Sequence, residues 1–273
     1  MSITIGIDVG GSTTKIIGLQ DKAIISPMCI TAADPVSSLF GAFGRYLHDN
    51  TISLADIRQV MITGVGSKSL HTSIFGLPTQ QVDEFLADGL GAQYETGLSQ
   101  LIVVSMGTGT TLVRVDGNDI KHLGGLSMGG GTLQGLAQLL LQCNDIDHVV
   151  ELAARGDSSN THLTIQDICA TSLEGLPMHA TASLFGKVRQ SHPNECDIAK
   201  GLITMVLETI GSCAVMSQTS GGFKDFVLIG NMTRLPECGT VFPMMEELYN
   251  VKFHIPTQAE YCTALGAALA YGR

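Results

Sequence analysis

Residues Ile3–Leu19, ITIGIDVGGSTTKIIGL, decide how the rest of the chain is read. Ile3, Ile5 and Ile7 alternate with smaller or polar residues, the pattern of a half-buried strand. Asp8 closes that run, Gly10-Gly11-Ser12 makes a turn, and Thr13 to Leu19 reads as a return strand. Adjacent glycines admit backbone conformations closed to other residues and let the main chain approach a ligand closely. Several amides pointing into one concavity form an anion site, and Asp8 could hold a divalent cation through water. A Gly-Gly dipeptide also makes the turn of a plain hairpin. This stretch alone leaves both readings open.

The device recurs. Leu101–Asp116, LIVVSMGTGTTLVRVD, is again strand, glycine-rich turn, strand, and Asp8–Thr14 aligns with Ser105–Thr111. One such unit in each half predicts two related lobes facing each other, with two phosphate-cradling turns. The dinucleotide pattern G-x-G-x-x-G fails here, because Leu112 stands where the third glycine belongs. No linker composition separates the halves, so short crossings near Thr96–Gln100 join lobes expected at 1–98 and 99–273.

Between the hairpins, Val36, Leu39, Phe40, Phe43 and Leu47 have helical spacing over Asp34–Asn50, with Asp34 as cap and Pro35 at the first position. Ile57–Thr63 reads as a strand followed by Gly64-Val65-Gly66-Ser67-Lys68-Ser69. That loop resembles a P-loop but lacks its pattern, since Ser67 rather than glycine precedes Lys68. Gln80–Ala87 leads into a helix running to about Thr96. After the second hairpin, Gly124–Gln142 passes from a glycine-rich loop into an apolar helix. Gly129, Gly130, Gly131 and Thr132 fall at its N-terminus, where free amides and the dipole favour an anion; a flexible loop with a capped helix is the alternative. Glu151–Asn160 ends a helix in a polar loop, and His162–Phe185 reads as irregular with short helices. Asp197–Ser220 is a long apolar helix with a close-packing point at Gly211. Phe226–Asn231 is a buried strand ending at Gly230-Asn231, and Thr263–Tyr271 is a helix of small residues.

Composition bounds the partners. With 44% hydrophobic and 15% charged residues over 273 positions, the chain can build two modest cores. No uninterrupted apolar run approaches the roughly 18 residues a membrane span needs, and the start, MSITIGID, lacks a signal-peptide pattern. A cytoplasmic protein without a membrane partner is the expectation. A net charge of −10 argues against nucleic acid as the main partner, but not against phosphate held by backbone amides. The seven cysteines are scattered without close pairs, so they read as reduced and mostly buried rather than as a disulfide framework or zinc site.

The order of Asp8 hairpin, second Gly/Thr hairpin, late strand ending in Gly-Asn and final Ala/Gly helix resembles the actin–hexokinase–heat-shock ATPase superfamily. That resemblance implies two ribonuclease-H-like α/β lobes with mixed sheets and ATP in the cleft between them. Within it the chain resembles the type II (eukaryotic-like) pantothenate kinases nearly end to end. The likeness lies in GIDVGGSTTK at the start, VDEF at Val82–Phe85, SMGTGTT at Ser105–Thr111 and SMGGGTLQGL at Ser127–Leu136. It continues in ELAARGDSSN at Glu151–Asn160, ATASLFG at Ala180–Gly186 and VLIGN at Val227–Asn231. The resemblance implies transfer of the ATP γ-phosphoryl group to the primary hydroxyl of pantothenate, the first step of coenzyme A synthesis, by a homodimer to which Asp197–Ser220 contributes. It also implies roles. Gly10, Gly11, Ser12, Thr13, Lys15, Gly107, Thr108 and Gly109 would cradle the phosphates, with Asp8 holding Mg²⁺. Gly129–Thr132, Gly230 and Asn231 would flank the nucleotide. Glu84 would be the general base and Thr108 would reach substrate or ATP.

One departure bears on the acceptor. Before the glycine-rich loop the family carries an arginine, and the matching position here is His122, beside Lys121. An imidazole does not replace a permanently charged bidentate fork. Lys121 standing in, a different acceptor, weak catalysis, and an ordinary loop histidine all remain open readings. Two rivals share the fold: a kinase for another hydroxyl, such as an amino sugar, and the ATPase activators of 2-hydroxyacyl-CoA dehydratases. Those activators open similarly but bind an iron–sulfur cluster through cysteines in a KCAAGTG-like context, which Cys143 and Cys213 lack. A non-catalytic nucleotide or acyl-CoA sensor is the third.

Overall fold

In the computed structural model, residues 2–21, 23–31, 35–69, 73–171, 175–218 and 222–272 are described. Strands β1 (Ile3–Val9), β2 (Thr13–Gln20) and β3 (Ala23–Thr31) form an antiparallel meander. Helix α1 (Pro35–Asp49) then leads to β4 (Ile57–Thr63) and β5 (Thr79–Gln81), which add in parallel beside β1. The sheet order is β3-β2-β1-β4-β5. The cap expected at Asp34 lies outside the described residues.

Helix α2 (Glu84–Thr96) carries the chain across to a second sheet. Its ends are set locally: Asp83 Oδ1 accepts from Leu86 N at 3.0 Å, and Gly97 closes it in the left-handed region at φ 71°. Strands β6 (Gln100–Met106), β7 (Thr110–Asp116) and β8 (Asp119–Leu126) repeat the meander. Helices α3 (Gly130–Leu141) and α4 (Ile146–Ala153) follow. A short-element region holds β9 (Leu163–Thr164), α5 (Ile165–Ile168), β10 (Thr181–Ser183) and α6 (Val188–Ser191). Helix α7 (Glu195–Met216), β11 (Asp225–Ile229), α8 (Cys238–Tyr249), β12 (Lys252–His254) and α9 (Cys262–Leu269) complete the chain. With β11 parallel to β6 and β12 parallel to β11, the second order is β12-β11-β6-β7-β8. Counted from its own first strand, each sheet is wired identically, which is the repeat the two hairpins announce.

Each sheet is covered on both faces. Leu39, Phe43 and Tyr46 of α1 pack on Ile5, Ile7 and Ile16. Leu265 and Ala268 of α9 cover the opposite face at Ile17 and Leu19. β1 is therefore buried on both sides rather than half-buried as its alternation suggests, because a helix from the far end of the chain closes the second face. On the second sheet, α7 and α8 cover Ile102, Val104 and Phe226, while α2 contributes Ala92 against Val103 and Val227.

α7 is long and apolar enough to cross a membrane by length and composition alone. Its Leu202, Ile203, Val206, Leu207 and Ile210 belong to the core, so that face is already spent inside the chain. The helix stops at Met216, short of the expected Ser220, which lies outside the described residues. Gly211 is the close-packing point expected: a Cβ there would lie 2.6 Å from Met245 Sδ. All seven cysteines are free, but only Cys238 and Cys262 are buried; the other five are half-buried, more exposed than expected.

α2 and α9 cross between the sheets almost backbone to backbone. A Cβ on Gly266 would lie 1.7 Å from Ala87 O, one on Gly91 2.0 Å from Cys262 O, and one on Gly6 of β1 2.0 Å from Ala264 O. Only glycine fits these contacts. Gly266→Ala is therefore expected to destabilise the fold by at least the ~1–3 kcal/mol of ordinary overpacking. Gly41→Ala, in α1 with no atom within 4 Å of the added methyl, is expected to gain about 0.5–1 kcal/mol. Urea denaturation of the two variants beside the parent checks both signs.

Candidate active site

The two turns open on one cleft of about 820 Å³. In the first hairpin Gly10 N donates to Thr13 O at 3.0 Å, and in the second Gly107 N donates to Gly109 O at 2.9 Å. The first closure spans one residue more than the second, and both turns leave Gly10 to Thr13 and Gly107 to Thr111 along the cleft wall. Asn231, at the end of β11, spans the gap: its Nδ2 donates to Thr13 Oγ1 at 3.4 Å. Its Oδ1 is buried without a partner among the described residues.

Asp8 and Lys15 are cross-strand partners in the β1–β2 ladder, and both are nearly buried at the cleft floor. Lys15 Nζ lies 4.0 Å from Asp8 Oδ2. Burial pushes the Asp8 carboxyl above its ordinary range, and the Lys15 ammonium opposes that rise. Thr63, the register partner of Asp8 across the parallel β1–β4 pair, is fully buried with its Oγ1 unpartnered. A carboxylate beside an unsatisfied hydroxyl suits a hard cation. Among the described residues no cluster of three or more ligating side chains exists. The donor set thus fits Mg²⁺, which takes one or two carboxylates and completes its shell with water and phosphate oxygens.

Glu84 is the first residue of α2 and lines the same cleft. Burial raises its carboxyl above the usual value; Asp8 and Asp83 add to the rise, and Lys68 and Lys15 oppose it. One helical turn on, Asp88 is 1% exposed. Its Oδ1 accepts from Thr263 Oγ1 of α9 at 2.6 Å, while Oδ2 has no partner among the described residues. Burial lifts this carboxyl to about 7; hydrogen bonding by Thr263, and to a smaller degree by Ser105, pulls it down, and the charges of Glu84 and Asp8 push it further up.

Thus Asp8, Gly10, Gly11, Ser12, Thr13, Lys15, Glu84, Gly107, Thr108, Gly109, Gly130, Gly131, Gly230 and Asn231 share one cleft. Gly129, Thr132 and His122 are not among its lining residues. The amides expected free at the α3 N-terminus are largely used: Gly130 N donates to Gly107 O at 2.8 Å and Gly131 N to Thr108 O at 2.9 Å. Gly129 N turns to Thr132 Oγ1 at 3.3 Å. The loop is strapped to the second hairpin, so it shapes the wall more than it offers donors. His122 is exposed on β8 and lies flat against Phe85, ring centroids 4.0 Å apart and planes 5° apart. The loop after β4 contributes Val65 to the cleft as a 3₁₀ turn, not as a P-loop. Sequence reasoning passed over Thr63, Asp88, Thr263 and the cleft-lining Arg234. Only Asp88 had a legible signal, its i+4 spacing from Glu84 on one helix face.

Comparison with known proteins follows this geometry. A family model described as Fumble matches residues 93–241. The type II pantothenate kinase of Bacillus cereus (strain G9842) is 27% identical over 239 residues, covering 85% of this chain and 84% of the relative. Among solved structures, the activator of the 2-hydroxyisocaproyl-CoA dehydratase from Clostridium difficile, with bound ADPNP, superposes with a TM-score of 0.70 at 16% identity. That match covers 98% of this chain and 93% of the other. The ROK hexokinase from Thermus thermophilus has a TM-score of 0.56 at 13% identity, over 98% and 97% of the two chains. The fold is that of the actin/hexokinase-like ATPases.

The buried Asp88 has a consequence for stability. Its carboxyl moves from 3.8 when unfolded to about 7 when folded, so the folded chain holds the proton more tightly. The stability this contributes is complete below the unfolded value and is lost as pH rises through the folded one. Asp88→Asn, which cannot ionise, is expected to melt higher than the parent at about pH 8 and to show no such gain at about pH 4. Thermal melts at the two pH values read the difference directly.

Proposed function

Because the chain belongs to the Fumble family, that of the type II pantothenate kinases, we propose that it transfers the γ-phosphoryl group of ATP to the primary hydroxyl of pantothenate. The family and the fold together support a kinase. The observation that carries the finer reading is the convergence of both glycine turns and Glu84 on one cleft. Phosphoryl transfer asks for alignment and charge neutralisation more than covalent chemistry, because charge spreads over the transferred group's oxygens. In this reading the halves 1–98 and 99–273 act as two lobes that grip the nucleotide. The turns Gly10–Thr13 and Gly107–Gly109 embrace the phosphates, with Thr108 at their tip, and Lys15 supplies a compact positive charge. Gly130, Gly131, Gly230 and Asn231, which line the cleft, border the nucleotide.

Asp8, with Thr63 beside it, would hold Mg²⁺, whose contribution is to neutralise phosphate charge. Glu84 orients the acceptor hydroxyl and removes its proton as it attacks. The raised proton affinity of this half-buried carboxylate suits that duty. With His122 stacked on Phe85 and no arginine at that position, Lys68 and Lys15 are the cations that act on Glu84. The cations lining the cleft that could meet the acceptor's own carboxylate are Lys15 and Arg234. A kinase for a different small hydroxyl compound uses the same geometry, and the arginine missing at the position of His122 is what favours it. Homodimerisation belongs to the reading as well. Leu139 and Leu140 of α3, 75% and 52% exposed, are its candidate surface rather than the buried face of α7; a monomeric mass in light scattering would remove it.

The deciding measurement is ATP-dependent phosphorylation of pantothenate set beside a panel of sugars and alcohols. Pantothenate is expected to turn over fastest; a sugar or another alcohol preferred over it would transfer the assignment to that acceptor. Glu84→Gln is expected to retain ATP binding while kcat falls by about 10²–10⁴, the usual worth of a positioned base. Undiminished turnover in that variant would take Glu84 out of the mechanism.

A further inference from the structure

Asp88 has no place in the mechanism above, yet it is a nearly inaccessible acid beneath the phosphate cleft. Its surroundings come from four elements. Thr263 and Cys262 face it from α9, Ser105 from the end of β6, Asp8 from β1, and Glu84 from one turn earlier on its own helix. Lys15 of β2 acts on Asp8, Glu84 and Cys262 in the same group. Two features of the geometry matter. Oδ1 is held at 2.6 Å by a hydroxyl on the opposing helix, where α2 and α9 touch backbone to backbone. Oδ2 is buried and unpartnered, a position that accommodates a proton far better than a full negative charge.

We propose that Asp88 is a positioning residue for phosphoryl transfer: as a neutral acid it ties α2 to α9 through Thr263 and so fixes Glu84, and it takes up its proton as the nucleotide enters. The inference rests on the nucleotide cleft and the Glu84 role proposed above. Triphosphate arriving over Asp8 and Glu84 carries more negative charge than one divalent cation cancels, so even with magnesium counted it adds net negative charge to a poorly solvated region and disfavours a further anion there. Binding and protonation are therefore linked, and the linkage runs both ways: nucleotide draws a proton onto Asp88, and an ionised Asp88 weakens nucleotide binding.

The experiment is calorimetric titration of the full chain with magnesium and a non-hydrolysable ATP analogue at about pH 7.5. Two buffers of different ionisation enthalpy give the number of protons exchanged. The parent is expected to take up roughly half a proton more than Asp88→Asn, which leaves only the background set by the nucleotide itself. Equal proton counts in the two proteins overturn the proposal. In turnover assays, Thr263→Val is expected to lower kcat about five-fold, the worth of one hydrogen bond, with the KM for ATP little changed. Thr263→Ser, which keeps the hydroxyl, restores the parent value. Parent-like kcat in Thr263→Val removes the positioning role. Binding with an unchanged proton count condemns Asp88 alone, whereas no analogue binding by the parent takes the nucleotide reading with it.

Discussion

Helices α2 and α9 come from opposite ends of the chain and meet with a carbonyl where a side chain would ordinarily stand. Gly266 faces Ala87 O and Gly91 faces Cys262 O. Each helix also covers the inner face of one sheet, α9 over β1 and β2, α2 over β6, β7 and β11. The distance between the sheets is therefore governed by how closely two helix backbones can approach. Everything chemical hangs on that distance. The first residue of α2 is Glu84, the buried face of its next turn carries Asp88, and the first turn of α9 carries Thr263. A bulkier crossing would lift α2 off its sheet and carry Glu84 away from the floor formed by Asp8 and Lys15.

That floor concentrates acid where a polyanion is expected to bind. Burial raises the proton affinity of Asp8, Glu84 and Asp88; the charge of Asp8 adds to the rise at Glu84 and Asp88, that of Glu84 to the rise at Asp88, and Lys15 opposes it at Asp8 and Glu84. The imbalance resolves differently at each position. At Asp8 the Lys15 ammonium, 4.0 Å away, opposes the rise. At Glu84, half-buried and open to the cleft, raised proton affinity is the property a base needs. At Asp88, sealed from water, a proton is the complement. Three carboxyl groups within one region are thus separated in role by exposure and by their partners rather than by residue type.

Much of this architecture was legible in the chain. The repeated hairpins at Asp8 and Ser105 announced two similarly wired sheets, and the end of α2 at Thr96 was expected. Convergence of the two turns was inferable from the same repeat, whereas the place of Glu84 followed only from the family resemblance. What escaped notice depends on contacts between distant segments. The second buried face of β1 comes from α9, more than 250 residues away by the numbering of Gly6 and Ala264, and no local alternation encodes it. The α3 amides looked available because a helix start leaves them free in general. Here the carbonyls of Gly107 and Thr108 had already claimed two of them. His122 drew attention through a family departure, but its ring is occupied by Phe85.

Fold and family also carry different weights. The solved structures that superpose on this chain include a dehydratase activator and a sugar kinase, proteins of unlike chemistry at 16% and 13% identity. What they share with this chain is the overall fold, and a fold alone does not fix the chemistry carried on it. The choice among chemistries falls to the few groups at the cleft that packing does not dictate: which carboxylate begins α2, what stands beside it, and which cations reach it. In this chain those are Glu84, the buried Asp88 beneath it, and Lys68 and Lys15, whose charges act on Glu84. The first turns of α2 and the loop after β4 are therefore the places where this chain can depart from proteins that share its scaffold.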